Sequence, residues 1–287
     1  MLGGGFLLSG VRIFVALDFS QPFTERTPRV VQAAKLLRAR GRKKANRFLV
    51  EGVNSVEAAV ATGAATDVFV TEQAAETFSE VITTAEYMDV YVHAITDIAA
   101  KHLSDTVTTT GIFAVCKPVL WSVGSALRGK PSFVVVGVDT NDPGNAGTMI
   151  RIADVCGADA VIFTGDCVDP ESGKAVRASA GSLFHLPVAR EHNIQDVLGQ
   201  LKAAGLQTVA TTIDGEVSLE NASEMLSAPT AWLFGNEAHG LPAEISEGAD
   251  ARVSIPIQGS AESLNLATAS AMCLWESAKA RMSRREH

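Results

Sequence analysis

The chain has 287 residues, 47% hydrophobic and 20% charged, with a net charge of −8. Such values belong to ordinary globular proteins and exclude disordered, fibrous and disulfide-stapled classes, and the length suits two compact units. Cys116, Cys156, Cys167 and Cys273 form no CxxC pair and sit by no histidine cluster, so zinc and redox chemistry lack their ligand spacing and the four read as free thiols of a reducing cytoplasm.

In chain order, residues 6–17 come first as a largely apolar run. No Lys or Arg precedes it, Arg12 interrupts it and no AxA-like site follows, so export is not expected, and the run is too short to span a bilayer. Residues 1–24 are read as an N-terminal extension or misplaced start, with a strand packed on the body as the alternative. Residues 26–47 then hold Arg26, Arg29, Lys35, Arg38, Arg40, Arg42, Lys43, Lys44 and Arg47 and no acidic residue. The other 15 of the 24 basic residues face all 32 acidic ones, a balance of −17. This asymmetry points to contact with a polyanion at one end of the protein. A solvated helix face is the alternative, weakened by the mutual repulsion of nine like charges.

Within this segment residues 28–40 read as a helix, with Val30, Val31, Ala34, Leu36 and Leu37 on an apolar side, Pro28 in its first turn and Gly41 ending it. Strands are expected at 47–51, 66–70, 90–94 and 111–116, and helices at 55–61, 74–87 and 97–103. That alternation predicts a small α/β domain over residues 25–117. Pro118, Gly124, Ser125, Gly129 and Pro131 mark 118–131 as a linker.

From residue 132 to 287 the pattern restarts with stronger strands. Residues 133–138, 160–163, 208–211, 231–234 and 253–257 are short apolar runs suited to a parallel sheet buried on both faces. Helices are expected at 145–156, 174–184, 194–204 and 264–280. Ligands of open parallel sheets bind beyond the carboxyl ends of the strands, and three such ends here are rich in Gly, Asn and Glu, residues suited to tight turns and hydrogen bonding. No GxGxxG follows a strand and no Walker A loop is present, since Gly3-Gly-Gly5 lies near the terminus outside any βαβ unit. This argues against a Rossmann-type nucleotide enzyme.

The three segments are Asn145-Ala-Gly-Thr-Met-Ile-Arg151, Leu233-Phe-Gly-Asn-Glu237-Ala-His-Gly240, and Ile255-Pro-Ile-Gln-Gly259 running through Glu262-Ser263-Leu-Asn265-Leu-Ala267. In order and spacing they closely resemble the three motifs of the SpoU (TrmH-like) RNA ribose 2′-O-methyltransferases of the SPOUT superfamily. Arg47-Phe-Leu-Val-Glu51-Gly52 ahead of a helix resembles that family's L30e-like RNA-binding domain. Asp154 departs from the pattern, where many relatives carry a small or uncharged residue.

The resemblance implies an α/β SPOUT domain with a parallel sheet and a trefoil knot, preceded by a smaller L30e-like α/β domain, and a homodimer formed through the C-terminal domain, in which the last helix and the 145–156 helix are the candidate surfaces. It implies S-adenosylmethionine as cofactor, held by Thr211, Gly235, Asn236, Gly240, Ile255, Ile257, Ser263, Leu264 and Asn265, without a metal. A bent methyl donor needs close backbone approach and apolar residues beside its base, which these types supply. Arg151 is the implied catalytic residue. An arginine is a poor base, so its expected part is to stabilise the developing alkoxide, with Asn145 positioning substrate or Arg151 and Glu237 orienting the arginine or accepting a proton. Plainer readings are that Arg151 pairs with Asp154 or Glu237, that Ser263 is a helix N-cap, and that His239 makes a loop or dimer contact. Arg38, Arg42, Lys43, Lys44 and Arg47 are the candidate RNA-binding residues. The expected substrate is 23S-type ribosomal RNA, with tRNA as the alternative. A non-catalytic RNA-binding protein would need only the basic segment, not Asn145, Arg151, Glu237, Ser263 and Asn265 together.

Overall fold

The computed structural model describes residues 17–285, so the apolar run at 6–17 lies outside it except for Leu17. Leu17 and Phe19 are half-buried against the core, and Phe23 pairs with the edge of the first sheet, its N–H donating to Ala94 O at 2.8 Å.

The first part of the chain runs α1 (Pro28–Ala34), a 3-10 turn (Lys35–Leu37), α2 (Ala39–Ala45), β1 (Phe48–Glu51), α3 (Val53–Ala61), β2 (Ala65–Val70), α4 (Glu72–Thr77), α5 (Ser79–Tyr87), β3 (Tyr91–Ala94), α6 (Asp97–Leu103) and β4 (Ile112–Cys116). Its sheet has the order β1-β4-β2-β3. The single helix expected over 28–40 is broken, because Arg38 is extended and α2 turns back upon the 3-10 segment. Gly41 does not end a helix but sits where a Cβ would strike the Lys35 carbonyl, and Arg42 donates to Leu36 O and Leu37 O, both at 3.3 Å. Phe78 likewise divides the helix expected over 74–87.

Residues 117–131 are no bare tether. They carry α7 (Val123–Ala126), which buries Val123 and Ala126 against the second sheet, and Trp121 N–H donates to Val188 O at 2.8 Å. There follow β5 (Phe133–Val138), α8 (Pro143–Val155), β6 (Ala160–Thr164), α9 (Gly173–Ser179), β7 (Val188–Glu191), α10 (Ile194–Ala203), β8 (Gln207–Thr211), β9 (Val217–Ser218), α11 (Ser223–Leu226), β10 (Thr230–Phe234), α12 (Ala243–Glu247), β11 (Ala251–Ser254) and α13 (Leu266–Arg285). The seven strands have the order β7-β6-β5-β10-β8-β11-β9, every neighbouring pair parallel. The strand expected over 253–257 stops at Ser254, as Pro256 has no N–H to give a ladder.

Val134, Val136, Ile162 and Leu233 bury one sheet face under α7, α10 and α12. The opposite face belongs to a larger cluster that also takes in Val50, Val56 and Cys116 of the first domain beside Val161, Leu183 and Val188 of the second. The two domains therefore share one hydrophobic core. Polar ties reinforce it: Arg42 donates to Asp169 at 2.7 and 3.0 Å, Arg177 meets buried Glu51 at 3.4 Å and Asp105 at 2.6 Å, and Glu171 accepts the Val119 N–H at 2.8 Å. Among the described residues no helix is long and apolar enough to cross a membrane. The four cysteines are free, three of them buried and Cys156 half-buried.

Candidate active site

Parallel strands send their carboxyl ends to one edge of the sheet, and β10 lies between β5 and β8 there. The loops leaving β5 and β10 are thereby neighbours. Asp139, in the left-handed region at φ 51°, turns the chain after β5, and its carbonyl accepts Asn236 Nδ2 at 2.7 Å. Asn236 and Gly240 exchange two backbone hydrogen bonds of 2.9 Å, while Asn236 Oδ1 accepts the Ala238 and His239 N–H groups. The loop is closed so tightly that a Cβ on Gly235 would collide with the backbone of Gly240 and Leu241.

Asp142 caps α8, its Oδ1 accepting the Asn145 N–H at 2.9 Å and its Oδ2 meeting Lys174 Nζ of α9 at 2.8 Å. The Lys174 ammonium, then the Asn145 N–H, hold the Asp142 carboxyl below its usual range. Glu237 reaches over from the β10 loop. Its oxygens accept the Asn141 and Asp142 N–H groups, each at 3.3 Å, and Asn145 Nδ2 at 3.1 Å. Asn265 closes the net from the third segment, donating Nδ2 to Asn145 Oδ1 at 3.1 Å. One side chain from each of the three motifs thus meets at Asn145, although they lie up to 120 residues apart.

Other expected residues stand outside this net. Arg151 is exposed on α8 and makes no hydrogen bond or ion pair with the described residues. Its plainer readings are not what the structure holds, because Asp154 pairs with His185 at 2.8 Å and Glu237 is occupied as above. Six residues are one and two-thirds turns, so Arg151 and Asn145 leave the helix in different directions. Thr211 Oγ1 is committed to Leu233 O at 3.1 Å. Ile255 is partly buried against the core, whereas Ile257 and Leu264 are 38% and 37% exposed at the edge of the sheet. Gly240 and Ser263 are exposed. The N-cap of α13 is Asn265, whose Oδ1 accepts the Ala267 and Thr268 N–H groups, so the capping reading of Ser263 is corrected and the helix starts at Leu266 rather than 264. His239 is exposed on the β10 loop.

Of the basic candidates, Arg38, Lys43 and Lys44 are exposed and Arg47 is half-buried with a hydrogen bond to Asn46 O. Arg42 is a correction: it is 9% exposed and its guanidinium is spent on Asp169 and two carbonyls, which makes it an interdomain tie and no phosphate contact. Lys174 and Asp142 were missed by sequence reasoning. Asp142 before Pro143 has the form of an N-cap followed by a first-turn proline and was legible as such, whereas Lys174 carries no local signal.

A parallel sheet whose strand ends gather three polar loops, with a small α/β domain joined to it, defines a two-domain α/β protein with a ligand site at the carboxyl edge. The pattern of the SpoU rRNA Methylase family matches residues 132–275, and that of the MRM3-like substrate binding domain matches residues 27–114. The chain belongs to the SpoU rRNA methylase family. It is 31% identical over 242 residues to the 23S rRNA (guanosine(2553)-2′-O)-methyltransferase RlmP of Bacillus subtilis (strain 168), covering 84% of this chain and 92% of that protein. An AdoMet-bound rRNA methyltransferase from Sinorhizobium meliloti superposes with a TM-score of 0.78 at 28% identity over 90% of this chain and 97% of its own. The SpoU methyltransferase AviRb from Streptomyces viridochromogenes, in complex with AdoMet, gives 0.78 at 29% identity over 89% and 99%.

Proposed function

We propose that the chain transfers a methyl group from S-adenosylmethionine to a ribose 2′-hydroxyl of 23S-type ribosomal RNA in the cytoplasm. The observation that carries this reading is the meeting of Asn145, Glu237 and Asn265 at the carboxyl edge, in a chain similar along most of its length to a 23S rRNA 2′-O-methyltransferase. The residues present fit the cofactor: Ile257 and Leu264 expose apolar surface among polar loops, which suits a base ring, and Gly235 lets the β10 loop that carries Asn236 and Gly240 close tightly. Asn236, Gly240, Ile255, Ser263 and Thr211 complete the proposed set around them.

The bound cofactor supplies the electrophilic methyl, and the chain's own residues prepare the acceptor. Arg151 carries a free, permanently charged fork that can stabilise the oxygen as it loses its proton. Asn145 positions the substrate, and Glu237 fixes Asn145. Arg38, Lys43, Lys44 and Arg47 are assigned to the RNA backbone. A homodimer is proposed through α13, where Met272, Trp275 and Met282 are 42%, 53% and 50% exposed in one stripe, and α8, where Val155 is 76% exposed.

The test is methyl transfer from labelled S-adenosylmethionine to a 23S rRNA transcript and to tRNA, with the modified position mapped. A 2′-O-methyl ribose in the transcript is expected. Transfer to a base, or to tRNA in preference, overturns the reading.

A further inference from the structure

The helix α8 carries only two charged side chains, Arg151 and Asp154. Three residues apart, they lie on one face of the helix about one turn from each other, the spacing at which an arginine and a carboxylate pair. They do not pair. Asp154 Oδ2 meets His185 Nδ1 at 2.8 Å, and because a carboxylate only accepts, that nitrogen carries the hydrogen. The Arg151 guanidinium is left without a partner among the described residues.

His185 is set in place by the core beneath it. It follows the 3-10 turn Ser182–Phe184, and its N–H donates to Ser182 O at 3.1 Å. Leu183 and Leu186, on either side of it in sequence, are buried in the cluster that takes in Met149, Ile150 and Ala153 of α8. Phe184 stacks on Phe48 with ring centroids 6.1 Å apart. The side chains of His185 and Asp154 are themselves 51% and 29% exposed, and a pair so open to water adds little to stability. A packed turn that delivers an imidazole to one exposed carboxylate is better accounted for by what that carboxylate would otherwise do.

We propose that His185 is a positioning residue for methyl transfer: by occupying Asp154 it keeps the carboxylate off Arg151, and the guanidinium stays available to the ribose oxygen. This rests on the proposed role of Arg151. Without His185, the only cation on α8 for Asp154 is Arg151, and each pairing withdraws the fork from the acceptor. An exposed pair at this spacing is weak, so it competes with the acceptor without shutting it out. The expected loss is therefore about threefold, well short of that from deleting the arginine.

The test is single-turnover transfer from labelled S-adenosylmethionine to a 23S rRNA transcript at saturating concentrations of both, with the denaturation midpoint of each variant measured alongside. H185A is expected to lower the rate about threefold, with transcript and S-adenosylmethionine affinities unchanged. H185N keeps a donor where Nδ1 stood and should hold the wild-type rate. D154A/H185A removes the competing carboxylate and is expected to return the rate to wild type although the pair is gone, a recovery that a merely structural pair would not show. A wild-type rate in H185A, or a D154A/H185A rate as low as that of H185A, overturns the proposal. Near-normal transfer by Arg151→Ala removes instead the role on which it stands, and absence of transfer by the wild-type chain removes the functional reading itself.

Discussion

Arg151 is exposed on α8, one and two-thirds turns beyond Asn145, and makes no hydrogen bond or ion pair with the described residues. Their residue types and order were legible, and the meeting of Asn145 with Glu237 and Asn265 followed from the three segments lying at strand ends. That Arg151 leaves α8 in a different direction from Asn145 was legible too, from a six-residue spacing on an expected helix, whereas its lack of a partner among the described residues was not, because tertiary packing decides what stands near it. Arg151→Ala is expected to cut single-turnover transfer about 100-fold or more, the scale of one lost electrostatic stabiliser, and to leave S-adenosylmethionine affinity unchanged. Arg151→Lys should stay poor, because an ammonium lacks the planar fork. Near-normal turnover in Arg151→Ala removes the role. Arg42 taught the opposite lesson, since nothing in a run of nine basic residues distinguishes the one that turns inward. Its partner Asp169 lies 127 residues on.

At the scale of the element, α8 is set by its first turn. Asp142 satisfies a backbone N–H at the helix start and holds α9 through Lys174. Asp142→Ala is expected to cost about 1 kcal/mol of stability as a lost N-cap and to lower turnover together with it, read by chemical denaturation and single-turnover transfer. An unchanged denaturation midpoint counts against the cap. Most strands, and the helices expected at 145–156 and 194–204, were predicted to within a few residues because their apolar runs are strong, whereas those expected at 28–40, 74–87 and 174–184 are each broken. The elements missed, such as β7, β9 and α12, are short, and tertiary context decides them.

The segment between β6 and α9 carries one group through which pH acts on the fold. Burial pushes the Glu171 carboxyl above its usual range, helped by the Asp169 charge and opposed by the Val119 and Leu120 N–H groups and by Arg42. A raised acid means that the folded protein holds this proton more tightly than the unfolded chain. Its contribution to stability therefore falls as pH rises from the ordinary carboxylate range through the raised value, and the cost is complete above it. Glu171→Gln is expected to gain stability relative to wild type at pH 7 compared with about pH 4. Equal differences in melting temperature at the two pH values would sink the argument.

For the whole molecule, the two-domain division was readable from the restart of strand pattern at residue 133, but the closeness of the two parts was not. Contacts such as Ser55 Oγ to Val176 O at 3.4 Å join residues with no local signature. The exposed stripe on α13 has its consequence here too. Trp275→Glu places a charge in the proposed dimer contact and is expected to give a monomer in light scattering at micromolar concentration, where wild type is expected to give a dimer. A dimeric Trp275→Glu would move the interface elsewhere.

Because Val50, Val56 and Cys116 lie in the same apolar cluster as Val161, Leu183 and Val188, neither half can lose its structure without exposing the other. Heating is then expected to melt the chain in one cooperative calorimetric transition, with van't Hoff and calorimetric enthalpies in agreement. Cutting within residues 117–131 to isolate the second half would uncover apolar surface that is dry in the intact chain, and the fragment is expected to aggregate. Two resolved heat-capacity peaks would mean that the shared core does not couple them.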